Sequence, residues 1–394
     1  MNVAVVGAGI FGIAAAVELR VRGHDVTVFE QGRIPYENAT STDVSKGLRR
    51  TWYAGGNETY VELAERAMSH WLKWEKAFDG PVVHRTGGIS VLKSFEPGSP
   101  MYESVEYLRS RGAREIEVMN ATEARSRFPQ FVINDGETVV HDPWAGYIES
   151  GRAVENLAKL ARGLGVLVRE TTPVRSVEDT SEGVEVAFEG GLGTFDMAVV
   201  ALGVWVGRVL PEIGESVRVT HQEMVLIEIE DRKAFSPPRM PVWGVDPDGE
   251  GWYGFPLLRE GYVKAAKEPL GDEVEPDFER TGTQAFQEEA LEFLSRRIPG
   301  MANGRFVEGR TCLYTSTPDD HFIVDRVPGR QRVVVAGGGS GHGFKFGGSI
   351  GEVIADVVED KENPLGLLFR IGDRFERTRS DEEVSRGFAR PPGL

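Results

Sequence analysis

Four consecutive apolar residues at positions 3 to 6, VAVV, form a run too short for a helix and without polar alternation, the pattern of a strand buried on both faces. Residues 13 to 22 continue with helical patterning, and VTVFE at 26 to 30 predicts a second strand. From 58 to 78 the apolar residues Val61, Leu63, Ala64, Ala67, Trp71 and Trp74 recur at helical spacing, which predicts an amphipathic helix. Residues 152 to 164 predict another, followed by strand-like segments at 165 to 169, 172 to 178, 184 to 188 and 196 to 202. Between 215 and 270 the alternation in VRVTHQEMVLIEIE and GWYGFPLLREGYVKAAK predicts an antiparallel sheet with one covered face. A helix over roughly 281 to 297, a buried strand at 332 to 338 and a helix from 347 to 360 complete the pattern. Residues 31 to 57 read as a long loop, a feature that is usually functional, and residues 374 to 394 as a polar tail.

The turn after the first strand carries Gly7-x-Gly9-x-x-Gly12. Gly7 permits the tight turn, Gly9 lets the backbone approach phosphates, and Gly12 lets the next helix pack on the sheet. The N-terminal amides of that helix favour an anion. Glu30, about twenty residues on, is placed to accept hydrogen bonds from a ribose hydroxyl, and its charge disfavours a 2′-phosphate. Strand, glycine turn, helix and acid together predict a dinucleotide site, with FAD and NAD both open at this point. The fold expected is α/β, an α+β two-domain arrangement. A Rossmann-like nucleotide domain comes from 1–80, 150–210 and 310–370, and an inserted antiparallel-sheet substrate domain from 81–149 and 211–309.

A formal net charge of -16 disfavours nucleic acid and anionic membranes as partners. No apolar run reaches membrane-spanning length and no basic-apolar leader precedes the fingerprint, so a soluble cytoplasmic protein is expected; a monomer is the expected assembly. The single cysteine, Cys312, excludes an internal disulfide framework and an all-cysteine metal site. None of the seven histidines shows ligand spacing, so no metal is expected.

Residues 337 to 346, GGGSGHGFKF, follow a predicted strand, and the glycines Gly339, Gly341 and Gly343 let backbone amides approach a ligand while Lys345 adds a positive charge. A Walker loop is disfavoured because Phe344 separates Gly343 from Lys345 and Phe346 replaces the magnesium-binding hydroxyl. With VVGAGIFG at 5 to 12, GWYGFP at 251 to 256, CLYT at 312 to 315 and HFIVD at 321 to 325, the chain resembles the sarcosine oxidase branch of the FAD-dependent D-amino-acid-oxidase-like superfamily, with some likeness to fructosyl amino acid and saccharopine oxidases. The resemblance runs over nearly the whole chain and is weakest in the tail.

That resemblance implies a Rossmann-like FAD-binding domain of the same type, with FAD joined to Cys312 through an 8α-thioether. The other implied cofactor contacts are Gly7, Gly9, Ile10, Gly12, Glu30, Val174, Gly203, Gly339, Gly341, His342, Gly343 and Lys345. It places Tyr314 and Tyr253 around the substrate, and Lys345 with an arginine on the substrate carboxylate. For that arginine, spacing to Tyr53 favours Arg50 while spacing from Lys46 favours Arg49. Lys264 aligns with the family's oxygen-activating lysine, where a cation stabilises developing superoxide. Lys46 stands where sarcosine oxidases carry arginine, and Glu268 where they carry histidine. Together with Trp52 and Trp252, these departures suggest a substrate larger than sarcosine.

The expected reaction is oxidation of the C–N bond of a secondary or N-substituted amino acid to an imine, with O2 reduced to hydrogen peroxide. Alternatives are a dehydrogenase passing electrons to another acceptor, an oxidase of a cyclic amino acid in specialised metabolism, an NAD-dependent dehydrogenase and a nucleotide-binding regulator without turnover.

Overall fold

The computed structural model describes residues 1–53, 58–372 and 374. The predicted polar tail lies outside these residues except for Arg374.

The apolar run Asn2–Val6 forms the centre of a six-stranded sheet because every residue from Val3 to Val6 is buried. Its neighbours are Met197–Val200 and Asp25–Phe29, both parallel to it. Leu167–Arg169 extends one side of the sheet, and Val333–Gly337 and then the antiparallel edge Ile323–Arg326 the other. Three widely separated stretches of chain therefore share one sheet, as crossover connections allow in a doubly wound fold. The helix Ile10–Val21 covers one face, and Gly23, at φ +92°, releases the chain from its C-terminus. The helix Gly347–Val358 crosses it closely: a Cβ at Gly351 would lie 2.8 Å from the Ala14 carbonyl oxygen. On the opposite face, Val177, Val184 and Val186 of a three-stranded antiparallel sheet pack under Ala4, Val6 and Phe29.

An eight-stranded sheet makes the second layer system. Its order is Arg305–Ser316, Arg218–Glu228, Tyr262–Lys267, Trp252–Phe255, Val242–Val245, Gly88–Leu92, Thr138–Asp142 and Glu117–Asn120. The helix Gln284–Arg297 covers one face, where Phe293 stacks between Trp243 and Trp252. The alternation between 215 and 270 does fold as sheet, but one junction departs from the antiparallel expectation: Val242–Val245 runs parallel to Gly88–Leu92. A pairing made across some 150 residues leaves no alternation signal of its own. The stretch from 31 to 57, read as loop, also contains the strand Lys46–Leu48, paired with Gly146–Ile148. Three residues are too few to show periodicity. No helix among the described residues is long and apolar enough to cross a membrane.

Candidate active site

The first glycine turn faces a cleft of about 950 Å³ lined by Gly7, Gly9, Ile10, Glu30, Gly203, Gly339, Gly341 and Gly343, among others. Gly7 adopts φ +101°, and a Cβ there would lie 2.5 Å from the Ala201 carbonyl oxygen. Gly12 does not line the cleft; it lets the helix close on the turn, since its Cβ would fall 1.9 Å from the Gly7 carbonyl oxygen. Glu30 accepts from the amides of Ala8 at 2.8 Å and Gly32 at 3.2 Å. Burial raises its carboxyl above the usual range, against the pull of those amides. The 337 to 346 turn also lines the cleft, and there Gly341 at φ +76° leaves room for the Tyr314 ring: a Cβ would meet that ring at 2.4 Å. Two glycine turns that both line this cleft, with a buried acid in the same lining, fit the polar phosphate and ribose portions of FAD.

Of the residues assigned to the cofactor by resemblance, Gly12, Val174, Cys312, His342 and Lys345 do not line the cleft. Val174 opens the strand Val174–Asp179 and packs into the core behind the sheet, away from the cleft lining. His342 faces a second pocket; its ring lies 3.3 Å from the Tyr53 hydroxyl and 3.1 Å from the Asp320 carbonyl.

That second pocket, of about 960 Å³, adjoins the cleft, and Lys46, Tyr314, Gly341 and Phe344 line both. Arg49, Lys264, Glu268 and Lys345 bring charge to it, and Tyr253 joins Tyr314 in the lining. Lys345 Nζ donates to the Tyr53 hydroxyl at 3.1 Å and to the His342 carbonyl at 2.8 Å. Burial pushes Lys345 well below its ordinary pKa, Arg49 adds repulsion, and Glu268 only partly opposes them. Arg49 lies 4.6 Å above the Tyr53 ring and donates to the Thr51 carbonyl at 2.7 Å. Burial lowers its pKa as well, and raises the Tyr53 phenol to about 12. The Tyr253 and Tyr314 hydroxyls hydrogen-bond each other, and burial raises both.

The two arginines left open by spacing separate here. Arg50 does not line the pocket and is tied up by carboxylates, 3.2 Å from Asp142, which does line it, and 2.5 Å from Glu115. Arg49 alone of the pair lines the pocket, which corrects the candidacy of Arg50 for the substrate clamp. The backbone direction at this point is set by Trp52, whose φ of +74° turns the chain so that Arg49 and Tyr53 face each other. Trp252 is a further correction. It is buried against Phe286 and Phe293, while Trp52 and Trp243 line the pocket.

Asp43 was not singled out from the sequence, because a lone acid in a loop carries no spacing signal. It lies 2.5 Å from Lys264 and 3.3 Å from Lys46, and Lys46 Nζ is 3.4 Å from Cys312 Sγ. Cys312 is partly exposed on Arg305–Ser316 and lines a third cavity rather than the cleft itself. Ser41 was also missed: its hydroxyl accepts from the Ile10 amide at 3.0 Å at the mouth of the first helix.

A dinucleotide cleft opening into a pocket of buried cations and phenols defines a flavin-dependent oxidoreductase site. The chain belongs to the DAO family of FAD dependent oxidoreductases, whose family model matches residues 2–357. Monomeric sarcosine oxidase from Bacillus sp. (strain NS-129) is 27% identical over 362 residues, covering 91% of this chain and 92% of the relative. N-methyl-L-tryptophan oxidase from Yersinia pestis (strain Pestoides F) is 28% identical over 371 residues, covering 92% and 96%. Among solved structures, the deglycating fructosamine oxidase Amadoriase II from Aspergillus fumigatus superposes with a TM-score of 0.80 at 24% identity, covering 94% of this chain and 89% of that one. The fold is accordingly that of the DAO-type oxidases, and the protein is an FAD-dependent enzyme.

Proposed function

We propose that the protein oxidises the C–N bond of a secondary or N-substituted amino acid to an imine, with O2 reduced to hydrogen peroxide. The observation that carries this reading is the pair Arg49 and Lys345. Two cations converge on one pocket, and among the described residues neither is ion-paired with a carboxylate. Enclosed charge of this kind calls for a counter-ion, and the carboxylate of an amino acid provides one. The named activities of the sarcosine and N-methyl-L-tryptophan oxidases point to the same class of substrate.

In this reading Arg49 and Lys345 hold the carboxylate, which directs the amine toward Tyr253 and Tyr314. FAD, held by Gly7, Gly9, Ile10, Glu30, Gly203 and the Gly339 to Gly343 turn, supplies the capacity to accept a hydride equivalent and to reduce oxygen. Lys264 contributes a fixed positive charge where negative charge develops on oxygen. Glu268 and the walls formed by Trp52, Trp243, Ile89 and Val242 favour an N-substituent larger than methyl, carrying a group that a carboxylate can contact. Cys312 is the attachment point for a thioether, supported by its place in CLYT and by the adjacent Lys46. The six-stranded sheet and its helices serve the cofactor, and the eight-stranded sheet supplies the substrate walls.

The test is an anaerobic screen in which N-alkyl, secondary and cyclic amino acids are mixed with the yellow holoenzyme and flavin bleaching is followed. Bleaching by N-substituted amino acids, followed by peroxide on admitting air, is the expected result; no bleaching by any amine overturns it. Acid precipitation of the same protein leaves flavin in the pellet if Cys312 is the attachment point, and in the supernatant if it is not.

A further inference from the structure

Resting on the oxidase reading, we propose that Asp43 is a positioning residue for Lys264: it fixes the ammonium at one point and keeps it charged for the oxygen half-reaction. The geometry starts at the helix Ser150–Gly163. At its N-terminus the Ser150 hydroxyl donates to the Asp43 carbonyl at 2.8 Å and the Gly151 amide at 3.0 Å, which pins the Asp43 backbone. The Val44 amide donates to Asp43 Oδ1 at 2.7 Å, leaving Oδ2 for the lysines. Lys264 Nζ donates to Oδ2 and, at 2.9 Å, to the Ser45 carbonyl, and it lies 4.8 Å from the Phe255 ring centroid. The side chains of Lys264 and Asp43 are 2% and 4% exposed, so water cannot take over these contacts.

The groups facing Lys264 are Asp43 and Lys46 from the 31 to 57 stretch, Cys312 from Arg305–Ser316 and the Phe255 ring from Trp252–Phe255. Glu268, four residues on, lines the same pocket. Burial pushes Lys264 below its ordinary pKa and Lys46 adds repulsion, while Asp43 is the principal opposing influence. Asp43 itself is held down to about 2: burial opposes its charge, but the two ammoniums outweigh burial. With Asp43 ionised and both lysines protonated the triad carries one net positive charge, and without Asp43 two buried ammoniums would face each other. Lys264 would then lose its proton at a lower pH than before.

The experiment measures flavin reduction by substrate, reoxidation by O2 and the flavin midpoint potential as functions of pH, in the parent holoenzyme and in Asp43→Asn, Asp43→Glu and Lys264→Met. Reoxidation is expected to be pH-independent in the parent. In Asp43→Asn it should match the parent at low pH and fall about 10-fold or more, toward the Lys264→Met value, as pH rises. The potential of Asp43→Asn should be more positive than the parent at low pH and converge with it at high pH, and Asp43→Glu should restore the flat profile. Reoxidation of Asp43→Asn that is flat with pH, at either the parent or the Lys264→Met rate, overturns the role of Asp43 while leaving Lys264 in place. A Lys264→Met variant that reoxidises like the parent overturns the oxygen role of Lys264 and that of Asp43 with it. Should Asp43→Asn fail to fold, Asp43→Glu carries the test through its pH profile: it keeps the charge, so reoxidation that falls with rising pH toward the Lys264→Met value would overturn the assignment.

Discussion

The dinucleotide cleft and the substrate pocket adjoin and share residues, yet they are built in opposite ways. The cleft end at Gly7 to Glu30 is made by one stretch of chain in which strand, turn, helix and strand follow each other directly. Its chemistry is carried by backbone amides and by missing side chains. The pocket gathers Arg49, Lys264 and Lys345 from three remote segments, and its chemistry is carried by side-chain charge whose state depends on burial. Local construction makes a site readable from spacing. Remote construction makes it tunable, because each charge answers to neighbours that spacing does not reveal.

The largest expected effect breaks the cleft. Gly7→Val places a β-branched residue at positive φ with its Cβ against the Ala201 carbonyl, a strain of roughly 1–3 kcal/mol before the clash is counted. Flavin content of the purified protein, read from its visible absorbance against that at 280 nm, should fall to near zero while the far-ultraviolet circular dichroism stays folded.

The next pair sharpens the division within the pocket. Arg49→Met should lower kcat/KM by about 100- to 1,000-fold in steady-state peroxide assays, the cost of one charge-assisted carboxylate contact. Arg50→Met should instead lower stability by about 3–5 kcal/mol in urea melts, because Asp142, 2% exposed, loses its partner. Equal catalytic losses in both variants would erase the distinction drawn between them.

Lys345 adds a pH signature that the cleft lacks. Its folded pKa lies well below the ordinary value, and only the charged form attracts a carboxylate. Substrate affinity should therefore be full at low pH and decline as pH rises through that depressed value. Lys345→Met should bind more weakly, by about 10-fold, and show no such decline in a KM profile. Tyr314→Phe is the mildest change: it removes one hydrogen bond with Tyr253, and kcat/KM should fall by roughly 5-fold, the worth of about 1 kcal/mol.

The glycine turns and the buried parallel strands were legible in the sequence, because a tight turn and a strand covered on both faces leave marks at fixed spacing, while the lysines and tyrosines of the pocket were assigned to it only through the family resemblance. Arg49 could not be told from Arg50, since adjacent residues point apart and the positive φ at Trp52 that aims one of them has no signature in its residue type. Trp252 was misplaced, and Trp243 overlooked, for a related reason: which face of a strand meets the pocket depends on register with strands far away. Asp43 was invisible altogether.

What the chain spells out in order is the cradle for the cofactor, because hydrogen-bonded turns and apolar runs are local and short-ranged. Which arginine meets the substrate, which tryptophans wall the pocket and which acid holds Lys264 emerge only when segments some two hundred residues apart are packed together. Burial then makes their charges interact strongly enough to matter.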